Sequence, residues 1–243
     1  MLDFSGRKVL VVGGSSGIGN GVAQAFRAAG AEVSIWGTRP TASDYDGVEG
    51  SDLTGLAYTQ VDVADRAAID RATADITELD VLVLCQGTVR YKRQEFEREG
   101  WDDVMDVNIN SVMDVARALK PALQARGGSM IIVSSVAGFG ATIGTPAYSA
   151  SKHAAVGLTK TLGAAWASDG IRVNGLAPGL VETKLTHVTT KNEKRLAGAL
   201  RGIPQGRMGT PQDMAGVVMF LASPLASYVT GQTIIADGGL TLQ

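Results

Sequence analysis

Short, unbroken apolar runs alternate along the chain with longer stretches in which apolar residues recur every three or four positions. The runs at residues 8–12, 32–36, 57–61, 81–85, 130–134, 171–176 and 233–236 read as strands. Several are continuous Val, Ile and Leu rather than alternating, which implies cover on both faces of a sheet. The helical period falls at residues 18–29, 66–77, 101–125, 147–168 and 211–222. This alternation predicts repeated βαβ units, hence an α/β fold around a parallel sheet. Thr210 followed by Pro211 fits a helix N-cap and first turn, and Gly30 and Gly170 fall where helices should end. Residues 37–56 and 180–207 resist assignment, although 191–200 suits a helix. Long irregular segments in compact proteins often carry function, and 184–207 is read as a substrate lid.

A chain of 243 residues suits one large α/β domain, residues 1–243, better than two small ones. Its 45% apolar and 19% charged content is globular, and no run is long enough to cross a bilayer. The first residues lack a signal-peptide core, which predicts a cytoplasmic protein. With 22 basic and 24 acidic residues, the balanced charge points to a small molecule rather than nucleic acid or membrane. Cys85 is the lone cysteine and reads as a packed thiol. His153 and His187 are too far apart in sequence to suggest a metal site.

After the first strand comes Gly13-Gly14-Ser15-Ser16-Gly17-Ile18-Gly19, followed at once by a helical pattern. A strand turning sharply into a helix aims free amides and a positive dipole end at whatever sits above it. Glycines there let a pyrophosphate approach. The spacing is GxxxGxG, and the alternative is that the glycines only ease packing. At the end of the second strand no acid awaits a free ribose 2′-hydroxyl. Thr38 and Arg39 are there instead, and a guanidinium beside a hydroxyl suits a 2′-phosphate. This leans toward NADP(H) over NAD(H), with a solvated Arg39 as the other reading. Trp36 reads as packing that borders the adenine pocket. Asp62 and Val63, past the third strand, are placed to meet the adenine.

Tyr148 and Lys152 lie four apart on a helical pattern and share a face. An adjacent ammonium stabilises phenolate, so Lys152 is expected to bring the Tyr148 phenol down toward neutral pH. Ser135 is read as closing the fifth strand at the carboxyl edge of the sheet, where open α/β sheets bind ligands. There it can orient an oxygen that exchanges a proton with Tyr148; Ser134 reads as structural. Asn108 is a poor helix former inside a long helical pattern, and is expected to kink it and hold a water. Asn110 is the rival for that role. Phe139, Thr142, Ile143, Leu185 and His187 are expected to line an apolar substrate pocket. The charges of residues 90–99 and 191–195 read as solvated faces.

Taken together in order, these motifs, with Arg172-Val173-Asn174, Pro178-Gly179-Leu180-Val181-Glu182-Thr183, Thr230-Gly231 and Asp237-Gly238-Gly239, resemble the short-chain dehydrogenase/reductase family along nearly the whole chain. The likeness is to its carbonyl-reductase and secondary-alcohol-dehydrogenase members, including those acting on 3-oxoacyl carrier-protein thioesters. It implies a Rossmann-type, doubly wound, seven-stranded parallel sheet with helices on both faces. It also implies a catalytic tetrad at Asn108, Ser135, Tyr148 and Lys152. Lys152 would contact the nicotinamide ribose, Val181 and Thr183 the carboxamide, and Pro178 and Gly179 the nicotinamide pocket. Gly87 would let the backbone approach the cofactor. A homotetramer is implied as well, with His153 at an interface or in packing. Val12 stands where the family commonly has Thr, and Leu84-Cys85-Gln86-Gly87 replaces Asn-Asn-Ala-Gly. The activity implied is NAD(P)(H)-dependent interconversion of a ketone and a secondary alcohol. The alternative is a catalytically silent dinucleotide sensor or scaffold of the same fold.

Overall fold

Four apolar residues in succession after Lys8 leave no polar position to turn to water, so this strand must lie between two layers. The computed structural model, which describes residues 2–242, places it so. In chain order the elements are β1 (Lys8–Val12), α1 (Gly17–Ala28), β2 (Glu32–Gly37), β3 (Ala57–Gln60), α2 (Arg66–Thr73), β4 (Val81–Leu84), α3 (Arg98–Met105) and α4 (Ser111–Arg126). There follow β5 (Ser129–Val133), α5 (Pro146–Ala165), β6 (Arg172–Pro178), the short α6 (His187–Thr190), α7 (Glu193–Arg201), α8 (Pro211–Ala222) and β7 (Thr233–Ala236). All seven strands join one parallel sheet in the order β3-β2-β1-β4-β5-β6-β7. The order reverses between β1 and β4, opening a crevice above their carboxyl ends.

Alternate residues of each central strand enter different cores. Leu10, Val12, Leu82, Leu84, Met130 and Ile132 pack with Val115 and Leu119 of α4 and with Ala155 and Leu162 of α5. Val9, Val11, Val81, Val83, Ile131 and Val133 pack with Val22 and Phe26 of α1 and Val218 of α8. Helices therefore cover both faces, and the sheet edge above the β1–β4 switch point is left for a ligand.

Several expected boundaries move, each for a local reason. The helix expected over 101–125 is two helices, α3 and α4, joined by a π-helical turn at Asp106–Asn110, so Asn108 does interrupt the helix. The helix expected over 66–77 stops at Thr73, whose hydroxyl turns back onto the Ile69 carbonyl at 2.9 Å. Strand β5 ends at Val133, so Ser135 lies beyond it and does not close it. Ser135 instead caps a 3₁₀ turn at Val136–Gly138, accepting from the Ala137 amide at 3.1 Å. At the start of α8, Thr210 forms a capping box with Asp213.

The two unassigned segments have structure. Residues 37–56 hold a 3₁₀ turn at Ala42–Tyr45 and fold back over the glycine-rich turn. There the Gly50 carbonyl accepts from the Gly17 amide at 2.8 Å. Buried Asn20 donates to the Asp52 carbonyl at 2.7 Å and accepts from the Asp52 amide at 3.0 Å. Residues 180–207 hold a 3₁₀ turn at Lys184–Thr186 followed by α6 and α7.

Candidate active site

The crevice is a cleft of about 570 Å³, and its lining begins at the glycine-rich turn with Gly13, Ser15, Ser16, Gly17, Ile18 and Gly19. Gly13 has φ +75°, and a Cβ there would stand 2.8 Å from the Gln86 backbone nitrogen. A Cβ at Gly19 would collide with the Gly13 carbonyl. Only glycine permits this turn, and the turn places the first amides of α1 at the cleft with no side-chain cap from Ser16. The Gly17 amide is taken up by the Gly50 carbonyl, and the amides that follow it, without a side-chain cap and in a cleft of this size, fit the diphosphate of a dinucleotide.

From that turn the cleft runs along the strand ends. Trp36, Gly37, Thr38, Val61, Asp62 and Val63 line one end, and Val12 sits in the core below. Arg39 is not in the lining. Its guanidinium donates to the Asp44 carbonyl and lies 4.8 Å from the centre of the Tyr45 ring. Trp36 is both packed, at 2% exposure, and part of the cleft wall.

At the other end Ser135, Tyr148, Lys152, Pro178, Gly179, Val181 and Thr183 meet, with Gly87 between the two ends. Lys152 is 4% exposed, and its Nζ donates to the Val133 carbonyl at 3.0 Å and lies 5.6 Å from the centre of the Tyr148 ring. Ser134 donates to the Lys152 carbonyl at 2.8 Å, a structural bond that ties α5 to β5.

The electrostatics depart from expectation. Burial is the largest influence on Tyr148 and holds its phenol above 10. Tyr91, Glu95 and Cys85 push it the same way, and the neighbouring Ser135 hydroxyl opposes them. The lowering expected from Lys152 is not among these influences, and the net direction is upward. Burial also pulls Lys152 itself down from 10.5 to about 8. A deprotonatable lysine beside a reluctant phenol can pass a proton along, but neither is ionised at little cost. Burial pushes the Cys85 thiol up to about 12, so it is a poor nucleophile.

Asn108 is 1% exposed and does not line the cleft. Its side chain is held by protein bonds. Its Oδ1 accepts from the Thr88 amide at 2.7 Å, and its Nδ2 donates to the Thr88 carbonyl and to Ser151 Oγ. The π turn therefore supplies a side chain that holds the loop after Gly87 against α5. The Asn110 side chain donates to Asp106 of its own turn at 2.7 Å.

Of the residues expected to line a substrate pocket, only Leu185 does so. Phe139 and Ile143 are exposed, Ile143 at 97%, Thr142 bonds to Thr145, and His187 lies in α6 outside the lining. His153 is exposed, with Nδ1 2.9 Å from the Ser149 carbonyl. Gln86, Thr88, Arg90, Lys184 and Thr186 also line the cleft, and no motif in the sequence marks them as site residues. Glu95 falls in the charged stretch 90–99 expected to be a solvated face, yet it is 1% exposed. Nothing in the local pattern distinguishes Glu95 from its exposed neighbours. Its burial comes from bonds to residues five and 53 positions away.

The site as built joins a dinucleotide cradle to a hydroxyl, a phenol and an amine in one cleft. Comparison with known proteins agrees. A family model described as enoyl-(acyl carrier protein) reductase matches residues 12–241. The chain is 36% identical over 242 residues to a 3-oxoacyl-[acyl-carrier-protein] reductase of Chlamydia muridarum, covering 96% of this chain and 97% of that one. It is 37% identical over 243 residues to a 2-dehydro-3-deoxy-D-gluconate 5-dehydrogenase of Bacillus subtilis, covering 97% and 95%. A crystal structure of a gluconate 5-dehydrogenase from Burkholderia cenocepacia, in complex with NADP and tartrate, superposes with a TM-score of 0.87 at 34% identity, covering 99% of this chain and 97% of that one.

Proposed function

The chain belongs to the short-chain dehydrogenase/reductase family, and from that premise we propose that it interconverts a small-molecule ketone and a secondary alcohol with NADP(H). The observation that carries the reading is the meeting of Ser135, Tyr148 and Lys152 in the same cleft as the glycine-rich turn.

When bound, the nicotinamide group supplies or accepts the hydride at the carbonyl carbon. The amides of Ser16, Ile18 and Gly19 at the N-terminal end of α1 hold the diphosphate, and Thr38, Asp62 and Val63 meet the adenosine end. Pro178, Gly179, Val181 and Thr183 hold the carboxamide end. Ser135 donates a hydrogen bond to the substrate oxygen, stabilising charge as it develops there. Tyr148 gives its proton to that oxygen in reduction and takes it back in oxidation. Lys152, buried and anchored on Val133, keeps a positive charge or a transferable proton behind the phenol. Asn108 holds the Gly87–Thr88 backbone beside them. Arg39 serves the 2′-phosphate by leaving Asp44 and Tyr45 for it. Several relatives of solved structure carry NADP, which supports that cofactor choice.

The segment 184–207 acts as the lid, joined to the far wall where the Tyr91 hydroxyl donates to the Leu185 carbonyl at 2.9 Å. Residues 1–243 act as one unit, and a homotetramer would cover the exposed apolar side chains Phe96, Trp101 and Met113. Relatives named for catalysis, together with the complete Ser135, Tyr148 and Lys152 set, favour an enzyme over a silent sensor.

The test follows nicotinamide absorbance with ketones and secondary alcohols, using both NADPH and NADH. Turnover is expected with NADPH, and Tyr148→Phe should lower kcat by about 100-fold or more while still binding cofactor. A folded Tyr148→Phe protein with undiminished turnover would refute the assignment.

A further inference from the structure

Helix α5 carries the proposed proton donor in its first turn, yet it begins without a local cap. Its N-cap Thr145 makes no side-chain cap bond, no acid lies in its first turn, and Pro146 has no N–H to offer. The Tyr148 amide is one of the donors left over. It is met by Glu95, from a short 3₁₀ turn at Gln94–Phe96, whose Oε2 accepts from Tyr148 N at 2.9 Å. The other oxygen, Oε1, accepts from the Arg90 amide at 2.9 Å. Between Arg90 and Glu95 the backbone passes through two consecutive non-glycine residues in the left-handed region, Lys92 at φ 57° and Arg93 at φ 64°. Such a turn is unfavourable by itself and needs the surrounding structure to hold it. Next to Arg90, Tyr91 reaches the lid at Leu185.

From this geometry we propose that Glu95 is a positioning residue for the dehydrogenase reaction: its buried carboxylate clamps the Tyr148 end of α5 to the loop that carries Arg90 and Tyr91. The inference rests on the functional reading above and adds to it a residue that never touches substrate. A carboxylate is required because both oxygens receive N–H donors. Gln would present its own NH₂ to one of the two amides, and Asp is one methylene too short to reach both. The clamp also sets a charge near the phenol. Glu95, Tyr91 and Cys85 disfavour the phenolate, while Ser135 favours it. The Lys152 Nζ lies 5.6 Å from the centre of the ring, and the Arg90 guanidinium is paired with Asp103. Replacing the carboxylate by a neutral amide removes one of the charges that disfavour ionisation.

Two variants, Glu95→Gln and Glu95→Asp, test this by steady-state kinetics across pH in the oxidation direction. A parallel titration follows phenolate absorbance, with the Tyr148→Phe protein and the corresponding double variants subtracted to isolate Tyr148. For Glu95→Gln the expected result is a kcat lower by about tenfold, KM values within about twofold, and a Tyr148 midpoint at lower pH. Glu95→Asp should lower kcat while keeping the midpoint close to that of the unaltered protein. A purely structural role would lower thermal stability and move neither kcat nor the midpoint. Unchanged kcat in Glu95→Gln, or an unmoved midpoint, overturns the proposal. If Glu95→Gln does not fold, an unchanged kcat in Glu95→Asp overturns it. Should the unaltered protein turn over nothing, the functional reading fails, and the absorbance titration still decides what Glu95 does to Tyr148.

Discussion

Replacing Lys152 by Met should abolish turnover and, near neutral pH, make the protein more stable. Lys152 is 4% exposed, and burial lowers its pKa from 10.5 to about 8. That difference corresponds to about 3 kcal/mol of cost for holding the ammonium in place. The folded-state value lies below the unfolded one, so the cost is full below about pH 8. It shrinks as the pH rises from 8 to 10.5, because the unfolded lysine still binds a proton that the folded one has lost. Met keeps most of the apolar stem and removes the charge. It forfeits the 3.0 Å bond from Nζ to the Val133 carbonyl, a loss of about 1–2 kcal/mol. The net expectation is a gain of about 1–2 kcal/mol at pH 7, falling to about zero near pH 9.5. Reversible urea unfolding of both proteins at the two pH values measures it, with nicotinamide absorbance reporting the lost activity. A variant less stable than its parent at pH 7, or a difference that does not change with pH, would refute the reasoning. Lys152 would then hold its charge at no cost, and burial would not be what governs it.

Two further outcomes follow from the cofactor end of the cleft. Gly13→Ala should weaken dinucleotide binding by tenfold or more and destabilise the protein by about 1–3 kcal/mol, since φ +75° and a Cβ 2.8 Å from the Gln86 nitrogen leave no room for a methyl group; fluorescence titration with NADPH and thermal melting check both. Arg39→Ala should raise the Kd for NADPH by about tenfold and leave that for NADH within twofold, and equal changes would remove Arg39 from 2′-phosphate recognition.

The strand and helix pattern, the parallel sheet and most of the cleft were legible in the chain because each rests on short-range order. Continuous Val and Leu over residues 9–12 can only be buried, whatever else the protein does. The glycines at 13, 17 and 19 sit where a strand becomes a helix, and the spacing of Tyr148 and Lys152 puts them on one face of α5 wherever that helix packs. Pro178 ends β6 while Ser135, Val181 and Thr183 follow strand ends, and parallel strands bring those ends to one edge.

What the tertiary structure decided was the partner of each polar side chain and the balance of its electrostatics. Asn108 was visible as a poor helix former, but its bonds to Thr88 and Ser151 depend on a π turn facing a loop and a second helix. Arg39 follows β2 as expected, yet the segment carrying Asp44 and Tyr45 folds back to engage it. Tyr148 has its lysine, and burial still raises the phenol, because desolvation depends on everything packed around it. Glu95 looks like any charge in a polar stretch until folding brings it to an amide 53 residues away. Periodicity is a property of neighbours in the chain, and it determines which faces avoid water. The pairing of buried donors with acceptors is a property of neighbours in space, and only the closed fold determines that.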